Sequence, residues 1–216
     1  MSNRRDFIKT STKVAGSTLL SLPLVDACVN EARQSISTIP QSTSNINIVG
    51  PREGYTPHVG TLVSMLNWMR EVMLQPVRGM SVSDLDFLLD ENSNSIGAML
   101  WHLAATERFY QINTFDGKRW EGLSSADEAK WDYASNLGAN GRRHIKGYDI
   151  DFYLDLLQNV RNFTLEELKS KDDDWLMIAD NNFWESPTNN YCKWFHVCEH
   201  ESNHNGQFKY LRSRIT

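Results

Sequence analysis

The sequence predicts an all-α protein, a four-helix bundle with one long crossover connection, preceded by a signal segment and a flexible linker. Three observations carry this. Four stretches of about twenty residues repeat apolar side chains at spacings of three and four. No alternating run is long enough for a sheet. A connection of some thirty residues separates the second stretch from the third, too long to be featureless in a compact domain, and four long helices joined this way make a bundle with an elaborate crossover.

Residues 1–28 read as a leader. Arg4 and Arg5 are followed by Asp6, Phe7, Ile8 and Lys9, which is the twin-arginine export pattern. The stretch from Val14 to Val25 is interrupted by Ser17, Thr18, Ser21 and Pro23, so it suits a signal's apolar region and not a spanning helix. Leu24-Val25-Asp26-Ala27-Cys28 resembles a lipobox, although Asp26 fits it poorly, so Cys28 is a candidate lipid anchor and cleavage near Ala27 the competing reading. Residues 29–50, rich in Ser, Thr, Asn and Gln, read as a flexible tether. Residues 51–216 are then the folded domain. The expected location is outside the cytoplasm, reached through the twin-arginine machinery, with the protein periplasmic or membrane-anchored as a lipoprotein.

The first long helix opens at Thr56-Pro57, a cap residue before a proline at the first helical position. Val59, Leu62, Val63, Leu66, Met69 and Met73 form its stripe. Ser81 and Asp84 have the spacing of a capping box and predict a short helix. The second long helix covers about 95–114, with Ile96, Met99, Leu103, Thr106 and Tyr110 on one side. Within the crossover, 125–136 suits a short helix closed by Gly138. The third long helix spans about 150–169 and is ended by Asp172, Asp173 and Asp174; an irregular stretch leads to the fourth, about 189–212.

Chemistry concentrates on histidines. His196, His200 and His204 lie four apart on the fourth helix. Neighbours in that series are offset by about 40° and ~6 Å, so they can share an ion, whereas the outer pair stand about 80° and ~12 Å apart and cannot. The helix therefore offers one clamp, His196 with His200 or His200 with His204. Imidazoles so spaced suit zinc and other borderline divalent ions. A third ligand has to come from another helix, and His102, set among apolar and small neighbours in Trp101-His102-Leu103-Ala104-Ala105, is the best candidate. Packed, hydrogen-bonded histidines are the bland alternative.

The block from Ser95 through Trp101-His102-Leu103 to Glu107 resembles the second helix of the DinB/YfiT-like superfamily. His196-Val197-Cys198-Glu199-His200-Glu201-Ser202-Asn203-His204-Asn205-Gly206-Gln207 is similar to its last helix, and Gly54-Tyr55-Thr56-Pro57 to one branch of it. The resemblance covers about residue 51 to the end. It implies a four-helix bundle with a three-histidine divalent metal site, often zinc or nickel, formed by His102, His200 and His204. His196 is then a neighbour. Asn205 departs from the Arg found before Gly-Gln in many relatives, which removes an anion contact and leaves the ligands untouched.

Characterised relatives are thiol-dependent transferases or isomerases, and some are hydrolases. The resemblance therefore implies an exported metal-dependent enzyme of hydrolase or transferase type, acting on a small molecule. Low-molecular-weight thiols are mainly cytosolic, which weighs against thiol transfer outside the cell. The alternative is a non-enzymatic metal- or ligand-binding surface lipoprotein. Glu107 lies about 140° round its helix from His102, and Glu199 and Glu201 diverge from His200 by about 100° each, so none is assigned a catalytic role. Cys192 and Cys198, about 240° apart, read as buried thiols. The Trp and Met positions of the first two helices read as core.

The chain's formal net charge is −5, and loss of the leader leaves about −7. Apart from Arg142-Arg143-His144 there is no basic cluster, so nucleic acid is not an expected partner. Bundles of this kind pair through a helix face, which makes a homodimer a candidate assembly.

Overall fold

The computed structural model describes residues 45–119, 124–183 and 186–215. Four long helices, α1 (Pro57–Leu74), α3 (Ile96–Phe115), α6 (Ile150–Leu168) and α8 (Asn190–Arg212), carry the architecture. α1 packs on α8, and α3 packs on both α6 and α8. Shorter helices decorate them: α2 (Val82–Leu85), α4 (Ser125–Asn136), α5 (Gly138–His144) and α7 (Asp173–Leu176). The leader, with Cys28, and most of the linker lie outside the described residues. Among the described residues, no helix is long and apolar enough to cross a membrane.

The local chemistry explains the helix ends. Ser81 accepts from the amide of Asp84, whose carboxylate accepts from the Ser81 amide, closing the expected capping box. Ser95, Ser124, Asp149 and Asn189 cap α3, α4, α6 and α8 through their side chains. α1 lacks such a cap, because the Thr56 side chain makes no capping hydrogen bond. Asp173, at the start of α7, takes that role from a distance, accepting from the Thr56 hydroxyl at 2.6 Å and from the amides of His58 and Val59 at 2.9 and 3.1 Å. The connection between α6 and α8 is thereby pinned to the start of α1.

The core includes much of the apolar stripes of the first three long helices, with Val59, Leu62, Leu66, Met73, Ile96, Met99, Leu103, Tyr153 and Leu157 buried, and Trp194 and Phe208 of α8 join them. Gly97 lets α3 and α6 approach closely: a Cβ there would lie 2.6 Å from the Tyr153 hydroxyl.

Several expectations need correcting. The stretch after the third long helix is not wholly irregular, since it holds α7 and an antiparallel pair, β1 (Ala179–Asp180) with β2 (Thr188–Asn189). Two-residue strands are too short for an alternating pattern to reveal. Gly138 does not merely close α4; with Leu137 at φ 50° it turns the chain into α5. Cys192 is exposed, while Cys198 is buried. Trp68 is exposed as well and so is not core.

Candidate metal centre

α3 contributes His102, and α8 contributes His200 and His204, one turn apart. Nε2 of His102 lies 2.8 Å from Nε2 of His200, which lies 3.2 Å from Nε2 of His204. One nitrogen from each ring therefore points to a common centre. Metal–nitrogen bonds of about 2.0–2.1 Å at a tetrahedral angle put ligand nitrogens ~3.3 Å apart, so the donor set fits one divalent ion.

The tautomer of His102 fits too. Its Nδ1 is 2.8 Å from the carbonyl oxygen of Ala134 in α4. A carbonyl only accepts, so Nδ1 carries the proton and Nε2 presents a lone pair, as the outer-shell partner of a metal-bound histidine requires. The crossover helix thus orients a ligand. Burial lowers the pKa of all three imidazoles, and for His200 and His204 the neighbouring histidine rings add to it, to about 3 and about 4. They are neutral donors at ordinary pH.

His196 sits one turn before His200, with ring centroids 5.2 Å apart. Its Nδ1 is hydrogen-bonded to the Tyr110 hydroxyl at 2.9 Å, and its Nε2 lies 3.8 Å from the Glu199 carboxylate. The donor atoms of His196, Glu199 and His200 make a second group compact enough for a cation, sharing His200 with the first.

The other carboxylates belong elsewhere. Glu107 and Glu201 are fully buried and face Arg70 of α1 and Arg161 of α6. Arg161 donates to Glu107 at 2.8 and 3.1 Å and to Glu201 at 3.0 Å. Arg70 donates to Glu107 at 2.7 Å and to Glu201 at 2.8 Å. Each arginine also reaches across to the opposite helix, Arg70 to the carbonyl of Leu157 and Arg161 to that of Leu66. This neutral four-charge cluster clamps all four long helices together. Sequence reasoning missed it, because four charges on four helices leave no local pattern.

A cleft of about 290 Å³ is lined by Ala105, Thr106, Phe109, Tyr110, Ser135 and Asn136. Ala105 and Thr106 stand one turn beyond His102, and Ser135 follows the residue that orients it. Among the described residues, no charged side chain lines this cleft. A larger cleft of about 590 Å³ is lined by Trp101, Tyr133, Ala134, His144 and Phe152 among others, and none of the three histidines lines either cleft. Of the basic cluster in the crossover, Arg142 donates to the carbonyl of Asn92 and His144 stacks on Tyr133 with ring centroids 4.0 Å apart.

Residues 61–216 match the family model described as mycothiol-S-transferase. Among solved structures, the chain is similar to a conserved protein from Enterococcus faecalis, with a TM-score of 0.55 and 17% identity over 70% of this chain and 92% of that one. At that identity the likeness concerns the fold alone. Comparison with curated proteins gives no match.

Proposed function

We propose, since the chain belongs to the mycothiol-S-transferase family of DinB/YfiT-like proteins, that it is a metal-dependent transferase joining a small thiol to an uncharged electrophile. His102, His200 and His204 would hold the ion. The observation that carries the reading is the convergence of their three Nε2 atoms within a few ångströms. Three neutral histidines leave coordination positions open, the arrangement of a catalytic site and not of a closed structural one. When bound, a divalent ion supplies Lewis-acid chemistry, holding a thiol as its thiolate at neutral pH.

The chain's own residues do the rest. The Ala134 carbonyl keeps His102 in the tautomer that offers Nε2. The uncharged cleft, with Phe109 and Tyr110 on one side and Ser135 and Asn136 on the other, receives an electrophile with an apolar body. It excludes charged ones, which would lose hydration there without a partner. Identity of the ion as zinc or nickel, export through the twin-arginine machinery and anchoring at Cys28 belong to the same proposal. An exported enzyme would need a thiol supplied outside the cytoplasm.

The test is turnover by the metal-loaded protein, using mycothiol and other small thiols with 1-chloro-2,4-dinitrobenzene. The thiolate sulfur displaces chloride, and thioether formation is followed by absorbance. Turnover that needs both the ion and His200 supports the reading. An ion tightly bound without turnover of any thiol would instead favour the second reading, a non-enzymatic metal- or ligand-binding surface protein, for which His196 and Glu199 offer additional donors.

A further inference from the structure

The two donor groups on α8 differ in one respect that bears on how an ion arrives. In the inner group His204 is 7% exposed and His102 and His200 are half-buried. In the outer group, the side chains of His196 and Glu199 are 34% and 50% exposed. His200 belongs to both, and the donor atoms within each group lie within 4.8 Å of one another. Positions i, i+3 and i+4 share one face of a helix, so the outer group forms a short ladder leading inward.

We propose that His196, Glu199 and His200 form a capture station through which a divalent cation reaches the inner histidine cluster. The inference rests on the three-histidine reading above and adds a route to it. The inner group consists of three neutral rings, so nothing charged in it draws a hydrated cation from water. Glu199 brings a carboxylate to the exposed side. The Tyr110 hydroxyl fixes the ring of His196 through Nδ1, and its Nε2 lies 3.8 Å from the Glu199 carboxylate. An ion caught there exchanges part of its hydration for these donors while already in reach of His200. Moving on to His102 and His204 then replaces ligands one at a time, so the ion never sheds its hydration all at once.

A station on the path, absent from the final coordination, speeds arrival and departure alike. Apo protein is mixed rapidly with Co(II), loading is followed by its visible absorption, and removal is followed with excess chelator. In His196→Ala and in Glu199→Gln, loading and removal both slow by the same factor, at least about fivefold, a modest loss on the scale of electrostatic steering. The equilibrium Kd stays at the wild-type value. His204→Ala behaves oppositely, with capture still fast and retention lost. Unchanged loading rates in both outer variants would overturn the proposal. So would a weakened Kd with unchanged loading, which would place His196 or Glu199 in the final site. A wild-type protein that takes up no Co(II) would overturn the three-histidine reading itself and the station with it. Both outer residues are part-exposed, and far-UV circular dichroism confirms that their variants fold.

Discussion

Replacing Arg161 with Met tests the buried charge cluster most sharply. Arg161 is 2% exposed and makes three hydrogen bonds to Glu107 and Glu201 and a fourth to the Leu66 carbonyl. Its loss leaves two buried carboxylates sharing Arg70 alone, and the Leu66 carbonyl loses its arginine donor. Breaking a buried pair in this way costs about 3–5 kcal/mol, a large part of the 5–15 kcal/mol that domains typically possess. With a urea slope of about 1–3 kcal/mol per molar, the unfolding midpoint falls by roughly 1–5 M, read by tryptophan fluorescence. The pH dependence provides an independent arm. Burial alone would raise the pKa of Glu107, but Arg161 and Arg70, with hydrogen bonds from Arg161 and Thr164, hold it at about 2, against an ordinary 4.5. The folded state therefore binds fewer protons than the unfolded one between these values. Its contribution, roughly 3 kcal/mol, is present above about pH 4.5 and is lost as pH falls toward 2. Glu107→Gln removes that slope. A loss below about 1 kcal/mol in Arg161→Met, with the acid slope intact in Glu107→Gln, would refute the claim that this cluster is dry and holds the four helices in place.

Three further outcomes are expected. Gly97→Ala lowers stability by about 1–3 kcal/mol through overpacking, and Tyr153→Phe relieves part of this by removing the hydroxyl that the new methyl would meet; thermal melts of the single and double variants check it. Asp173→Ala costs about 1–2 kcal/mol as the long-range cap of α1 is lost, and amide exchange at His58 and Val59 quickens. Bound metal stays constant from pH 8 to about pH 5, because burial and neighbouring rings hold His200 and His204 at about 3 and about 4 and so keep them unprotonated. Release with a midpoint near 6.5, read by metal content across a pH series, would mean that the rings are ordinarily solvated.

The long helices were legible because each buries one stripe, so Leu62, Leu66, Met69 and Met73 recur at helical spacing, and because Ser81, Ser95 and the Thr56-Pro57 pair mark beginnings. The clamp on α8 was visible in part: spacing gave two overlapping histidine pairs and could not choose between them. What draws His102 together with His200 and His204 is packing of α3 on α8, and the Ala134 carbonyl that orients His102 comes from a helix in the crossover. Neither leaves a periodic signal. Arg70, Glu107, Arg161 and Glu201 were hidden for a related reason, since a charge in an amphipathic pattern reads as surface until its partners on three other helices are known. Cys192 misled in the opposite sense, for a thiol's usual burial yields to its place on the solvent side of α8.

Metal content per chain, measured by mass spectrometry on the purified protein with His200→Ala and His196→Ala beside it, tests the central claim most directly. The account predicts about one divalent ion per chain in the wild type and in His196→Ala, and none in His200→Ala. Metal kept by His200→Ala, or absent from the wild type after incubation with excess zinc and nickel, would contradict it.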